Sequence, residues 1–193
     1  MEYADEKIIE FINKSEKMNE VKNICDGDVK IGNRYYTFEE YGFFNEKLKI
    51  YIPNDFKDMD EKLRELKYPS AFRPQIIKTD ETGSINITLN KIDQELNEDL
   101  VEELTDGMKS IIKKMNPSNV FYAQEVEEVD GKNIGYFEFK SPALDGFIYN
   151  IMFFFEFEGE TMMGTFCCLY NDYEKWRDIT FQVIRTIQVI KEN

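Results

Sequence analysis

The side chains of this chain that could do chemistry are carboxylates, tyrosines and three cysteines. The sequence has no histidine, which excludes Ser-His-Asp and Cys-His catalysis and every zinc site that needs an imidazole. Neither GxSxG nor the phosphate-binding patterns GxGxxG and GxxxxGK[ST] occur. We therefore predict no catalytic residues, no metal site and no bound cofactor, and we expect a protein that is not an enzyme.

Two groups of carboxylates are candidates against that expectation. Glu125 and Glu127 share one face of a predicted strand, where paired carboxylates could act as acid and base. An exposed polar strand face has the same pattern and is the favoured interpretation. Asp26-Gly27-Asp28 and the acidic run at 55–61 could hold calcium, but neither has EF-hand spacing. Solvated acidic loops are the favoured interpretation there.

The cysteines point to a reducing compartment. Cys25, Cys167 and Cys168 are odd in number and form neither a disulfide framework nor a CxxC metal motif. Since neighbouring residues of a strand point to opposite faces, we expect Cys167 and Cys168 to be buried thiols. The start MEYADEKIIEF lacks the features of a signal peptide. We therefore expect a cytoplasmic protein.

The charge balance indicates which partners suit this chain. It carries 38 acidic and 24 basic residues, a net charge of −14. Nucleic acids and anionic membrane surfaces are bound by clustered Lys and Arg, so both are disfavoured. We predict a protein partner that is basic or apolar.

The loop KYPSAFRP (67–74) is the one weak candidate for partner-binding residues. Tyr68, Phe72 and Arg73 lie between two prolines, and aromatic and Arg side chains are typical anchors of interfaces. The alternative is that these side chains only pack over the end of a sheet. Packing is the favoured interpretation, and binding at Tyr68, Phe72 and Arg73 remains the second.

The most apolar stretch is GFIYNIMFFFEFEGETMMGTFCCLY, residues 146–170. A membrane helix needs about 20 apolar residues, whereas Glu156, Glu158 and Glu160 interrupt this one. A hairpin that turns at Gly159 fits better, and both of its faces are apolar. Such a hairpin lies in the middle of a sheet that is covered on both sides. An uncovered aromatic face would instead be a binding surface.

The remaining elements predict an α+β fold with a mainly antiparallel sheet, because strands come in hairpins and not singly between helices. Residues 1–38 are predicted to be an appendage, made of a helix over 5–24 and a hairpin at Gly32-Asn33. The main domain is 39–193. Its predicted strands and hairpins are 44–56, 73–90, 120–129 and 134–139, with a loop at 141–146 and helices at 97–115 and 172–185.

The first of these helices has the clearest helical pattern in the chain. Asn97 is a suitable N-cap, and Asn116-Pro117 ends the helix. One apolar stripe is predicted to face the sheet, made of Leu100, Leu104, Met108, Ile111 and Met115.

Two segments resemble the PsbP/Mog-like superfamily: FFNEKLKIYIPNDFKDM, as its opening strand, and VDGKNIGYFEF, with Asp130-Gly131-Lys132 and Gly135. The resemblance covers about residues 42–190 and implies an α/β/α sandwich with helices on both faces of an antiparallel sheet. It also implies a bacterial, non-catalytic binding protein, since members include a Ran-binding transport factor, a photosystem II subunit and bacterial chaperones. We expect an adaptor, chaperone or immunity-type protein. A small-ligand sensor or enzyme using carboxylates and tyrosines is the alternative.

Overall fold

A computed structural model of the chain describes residues 23–69 and 73–190. The helix predicted over 5–24 therefore lies almost wholly outside the described residues. The helices are α1 (Glu61–Lys67), α2 (Val101–Met115) and α3 (Tyr173–Arg185). The strands are β1 (Val29–Ile31), β2 (Arg34–Tyr36), β3 (Phe38–Phe43), β4 (Leu48–Pro53), β5 (Lys57–Asp58), β6 (Ile76–Thr79), β7 (Asn86–Glu95), β8 (Val120–Val129), β9 (Lys132–Ala143), β10 (Gly146–Phe157), β11 (Glu160–Leu169) and β12 (Gln188–Val189).

The centre of the fold is an antiparallel sheet of seven strands in the order β5-β6-β7-β11-β10-β9-β8. The predicted hairpin is its middle: Phe157 pairs with Glu160, and Ile151 pairs with Phe166. Gly164 lies opposite Phe153, whose ring occupies the space that a Cβ of residue 164 would need. The predicted α+β class and the turn of this hairpin are confirmed.

Both faces of the large sheet are covered. On one face, α2 packs over a small cluster of buried residues, namely Phe137, Phe139, Met152 and Phe154. On the other face, α3 and a second sheet of three strands, β12-β4-β3, enclose a larger core that includes Leu48, Ile50, Phe153, Phe155 and Trp176. The expected sandwich with helices on both sides is confirmed. The three-stranded sheet, which lies on the same face as α3, was not part of that expectation.

The hairpin predicted at Gly32-Asn33 is the pair β1–β2. Val29, Ile31 and Tyr36 of this hairpin are buried within the larger core. The division of the chain into 1–38 and 39–193 stays a prediction, because most of the first segment lies outside the described residues.

Two local expectations were wrong. The loop at 141–146 is only a turn, because β9 continues to Ala143 and β10 begins at Gly146. Pro142 suggested a loop, but β8 pairs with β9 no further than Lys140, so Pro142 has an open edge on that side, where a missing N–H costs nothing. Asn97 makes no side-chain cap, and a short 3₁₀ turn at Glu98–Leu100 leads into α2 instead.

Candidate functional site

An open groove of about 370 Å³ runs along α2 beside the end of β7. Two elements build it. The chain that leaves β7 forms one wall, and the N-terminal two-thirds of α2 with the preceding turn forms the other. The lining residues are Gln94, Glu95, Leu96, Leu100, Glu103, Leu104, Gly107, Met108 and Ile111. The lining is therefore mainly apolar, with polar residues at its rim.

The groove exists because the apolar face of α2 is wider than the sheet covers. At 3.6 residues per turn, the apolar positions from Leu100 to Thr105 and Ile112 span about 140° of the helix circumference. Val101 and Thr105 are fully buried against the sheet. At the other edge of the arc, Leu100 and Ile111 have exposed fractions of 45 % and 48 %. Met115 lies near the middle of the arc, but it is the last residue of α2 and is 77 % exposed.

The stripe predicted to face the sheet was therefore wrong for three of its five members. Leu104 and Met108 do pack against the buried cluster, together with Ile112. The reason is the close contact between α2 and β9: Gly135 has no side chain, and Thr105 and Val101 occupy the place of its missing Cβ. This contact fixes the rotation of α2 so that Leu100 and Ile111 face solvent, whereas Met115 is exposed because it ends the helix.

Gly107, which lines the groove, is an unusual residue for the interior of a helix. Glycine in a helix interior costs about 1 kcal/mol relative to alanine. Close packing does not require this glycine, because a Cβ at residue 107 would meet nothing within 4 Å. Gly107 lines the middle of the groove, where it adds no side chain to the wall.

The rim of the groove is acidic. Glu95 and Glu103 line it and are exposed, and both are on the solvent side of the apolar floor. An apolar floor with carboxylates at its rim is complementary to an apolar segment with basic side chains beside it.

On the opposite face of the sheet, Glu138 of β9 forms the centre of a buried polar network. Its side chain is fully buried, and Arg177 of α3 binds both of its oxygens at 2.8 Å from Nε and Nη2. The hydroxyl of Tyr149 also donates to Glu138. Burial opposes ionisation of Glu138, but the hydrogen bonds from Arg177 and Tyr149 outweigh it and hold the pKa below its ordinary value.

A second network contains both carboxylates that were weighed as an acid/base pair. The hydroxyl of Tyr136 lies 3.0 Å from Glu125 Oε2 and 2.7 Å from Glu127 Oε1. Arg185 of α3 binds both oxygens of Glu127 at 2.8 and 2.7 Å. These hydrogen bonds lower the pKa of Glu127. Glu125 is exposed, as expected for a polar strand face, whereas Glu127 is half-buried and ion-paired.

The pKa values of the carboxylates and tyrosines in these two networks are shifted away from neutral pH. The pKa values of Glu127 and Glu138 are lowered, so both stay ionised. Burial, followed by the neighbouring carboxylates, raises the pKa values of Tyr136 and Tyr149, so both stay neutral phenols. Such groups hold α3 on the sheet, and they are poorly suited to exchange protons with a substrate.

Sequence reasoning missed Glu138 and Arg177. The available signal was the alternation Ile134, Tyr136, Glu138 on the inward face of β9, which places a charged residue at a core position. A buried carboxylate needs a cation, and Arg177 lies on the last helix, 39 residues away. The pattern indicates that a partner exists without identifying it.

The weak partner-binding candidates lie apart from the groove. Tyr68 is half-buried, and burial followed by a hydrogen bond with Cys167 raises its pKa. It therefore packs over the end of β11, which was the favoured interpretation. Arg73 is half-buried, and Phe72 lies outside the described residues. Binding at these three residues stays a prediction.

The cysteines and acidic loops behave as ordinary structural elements. Cys168 is buried, Cys167 is half-buried, and burial raises the pKa of both thiols. Asp28 accepts a hydrogen bond from Thr37 at 2.6 Å, and Asp60 caps α1.

The fold is an α/β/α sandwich whose antiparallel sheet is covered on both faces. Solved structures with a similar fold include the following three. Cyanobacterial PsbP (CyanoP) from Synechocystis has a TM-score of 0.59 at 11 % identity, over 82 % of this chain and 96 % of that one. LpqN of Mycobacterium tuberculosis, described as involved in cell envelope biogenesis, has a TM-score of 0.53 at 11 % identity. The match covers 90 % of this chain and 99 % of that one. The Ran-binding protein Mog1p of Saccharomyces cerevisiae has a TM-score of 0.52 at 9 % identity. The match covers 81 % of this chain and 97 % of that one.

These likenesses show the fold alone, because the sequence identities are low. No protein-family model matches the chain, and no curated protein matches it. Among residues 23–69 and 73–190, none of the helices has the length and apolar composition that a membrane span requires.

Proposed function

We propose that this protein is a non-enzymatic protein-binding module whose groove along α2 receives a segment of a partner protein. The observation that carries the proposal is the open side of the apolar arc of α2, with Leu100 and Ile111 about half exposed. Two large apolar side chains on an ordered helix, beside a groove that Gly107 lines, are a feature of interfaces.

The charge of the rim specifies the chemistry of the partner. Glu95 and Glu103 stand beside the apolar floor, and the whole chain has a net charge of −14. The segment that fits is an amphipathic helix with apolar side chains on one face and Lys or Arg at its margins. An adaptor, a chaperone or an immunity-type protein would each use such a groove, in a cytoplasmic location as predicted from the sequence.

The alternative, an enzyme or sensor built on carboxylates and tyrosines, has weaker support. The network of Glu138, Arg177 and Tyr149 is the strongest candidate for such a site. Its carboxylate is buried and bound by a guanidinium, and the pKa shifts of Glu138 and Tyr149 both move away from neutrality. Its geometry is that of a structural ion pair.

The test uses a synthetic amphipathic peptide of leucine and lysine at helical spacing, with a leucine–glutamate peptide of the same pattern as the control. We expect Ile111→Glu to weaken binding of the lysine peptide by about 10- to 100-fold, the loss of one buried aliphatic side chain. Leu66→Glu is the matched control, because Leu66 is 78 % exposed on another helix, α1.

Fluorescence anisotropy with the labelled peptide gives both affinities. Leu66→Glu is expected to bind within about 2-fold of the unchanged protein, which is 0.4 kcal/mol or less. Equal losses in Ile111→Glu and Leu66→Glu, or equal binding of the leucine–glutamate peptide, would show that the groove is not the site.

A further inference from the structure

The strand β8 presents an open edge of the large sheet. It is the last strand in the sheet order, and within residues 23–69 and 73–190 its strand partner is β9 alone. A bulge lies between Phe121 and Gln124, and the pairing is regular from there to Val129. An edge of this kind offers unpaired N–H and C=O groups, and proteins usually block it with charged side chains, especially Lys, with Pro or with bulges. The sequence of β8, VFYAQEVEEV, contains neither Lys nor Pro, and its charges are those of Glu125, Glu127 and Glu128. Such an edge repels acidic strands and remains open to basic ones.

The side chains of this edge differ between its two faces. Glu125 and Glu127 lie on the face that carries α3, since both contact the hydroxyl of Tyr136. Val126 lies on the face that carries α2, because it pairs with Gly135, whose missing Cβ points at that helix. Val126 is 38 % exposed. The edge is therefore acidic on one face and partly apolar on the other.

A polar groove of about 330 Å³ adjoins the acidic face, between β8 and α3. Arg177 and Arg185 line it, but each is bound by a carboxylate on the sheet. The groove residues and the carboxylates bound to its two arginines together comprise four carboxylates and two guanidinium groups, which gives a net charge of −2. The carboxylates are those of Glu125, Glu127, Glu138 and Asp178.

We propose that β8 binds an extended, basic segment of a partner protein by strand addition. The main chain of that segment pairs with residues 124–129, which are regular and open. Its Lys or Arg side chains, at alternate positions, lie opposite Glu125 and enter the polar groove, and the intervening apolar side chains lie on Val126. A second copy of this chain is a poor occupant, because three of these six residues are Glu and would face like charges.

The probe is a capped peptide of alternating valine and lysine, added to the full chain, with a valine–glutamate peptide as the control. Backbone amide hydrogen exchange, resolved by NMR, is expected to slow at alternate residues within 124–129. Glu125→Lys replaces an attraction by a repulsion across the strands and is expected to weaken binding about 5-fold. Glu128→Lys, on the other face of the same strand, is the matched control and is expected to change binding by less than about 2-fold.

Several results would overturn this proposal. The first is that the valine–glutamate peptide binds as tightly as the valine–lysine peptide, and the second is that Glu125→Lys and Glu128→Lys weaken binding equally. The third is that the peptide protects amides outside β8 instead of those within it. The fourth is that the full chain forms a dimer in which the amides of β8 are already protected. Ile111→Glu in the groove along α2 is expected to leave binding of the valine–lysine peptide unchanged. A failure at β8 is therefore distinguishable from a failure of the proposed function.

Discussion

At the scale of single residues, the role of Glu138 follows from its contacts and not from its residue type. A carboxylate in an apolar strand suggests catalysis, because buried ionisable groups are common in active sites. Here both oxygens are bound by Arg177, and the side chain is fully buried. Its role is to hold α3 on the sheet, at the cost of removing a charge from water.

Glu138→Gln tests that role. We expect the substitution to lower the free energy of unfolding by about 2 kcal/mol at neutral pH, since it weakens hydrogen bonds to a charged group. Arg177 is 34 % exposed, so water can solvate it in part. Urea unfolding followed by the fluorescence of the single tryptophan, Trp176, measures the change. Glu127→Gln is the control and should cost less than about 1 kcal/mol, because Arg185 is largely exposed.

The pH dependence follows from the direction of the pKa shift. A carboxyl whose pKa is lowered in the folded state stabilises the protein fully above its ordinary value of 4.5. That contribution is lost as the pH falls through the lowered pKa. The difference between the unchanged protein and Glu138→Gln should therefore narrow in acid. A difference that stays constant from neutral to acidic pH would contradict the ion pair.

At the scale of elements, two glycines beside α2 have opposite surroundings. Gly135 permits close contact, because Thr105 and Val101 fill the space of a Cβ at that residue. Gly107 lies on the open side of the same helix, where a Cβ would meet nothing within 4 Å. Packing requires the first glycine, whereas the second lines the groove and has free space around it.

The same substitution at these two residues should have opposite effects. Gly107→Ala is expected to raise the free energy of unfolding by about 1 kcal/mol, because alanine is the better helix former. Gly135→Ala is expected to lower it by about 2 kcal/mol or more, because the new methyl group overlaps α2. Thermal unfolding of the two variants measures both changes. Two changes of the same sign would contradict the placement of α2.

The elements differ in how well the sequence predicts them, for physical reasons. The hairpin β10–β11 was predicted with its turn at Gly159 and with the side chains of each face, because strand alternation and the glycine at residue 159 are both local signals. The exact register, with Phe157 opposite Glu160, was not predicted. The orientation of α2 was predicted wrongly, since Leu100, Leu104, Met108 and Ile111 belong to one continuous apolar arc that extends to Thr105. Which part of that arc is buried depends on Gly135, on a strand that follows the helix. The groove, and the pair Glu138–Arg177, depend on contacts of this long-range kind.

At the scale of the whole molecule, charge and shape point to the same kind of partner. The chain has a net charge of −14, and the groove along α2 has Glu95 and Glu103 at its rim. Charge of one sign attracts a basic partner over distances of about 10 Å at 0.1 M salt, and less as salt rises. The apolar floor then supplies affinity that salt affects little. Binding by the groove should therefore weaken with salt but not vanish.

The most direct test of the groove is an NMR titration of the full chain with the leucine–lysine peptide, read at the methyl groups. We expect shifts at Leu100, Leu104 and Ile111, with none at Leu66. In Gly107→Trp, whose ring would fill the groove, we expect these shifts to be lost. Shifts at Leu66 that equal those at Ile111, or shifts that persist in a folded Gly107→Trp variant, would contradict binding in the groove.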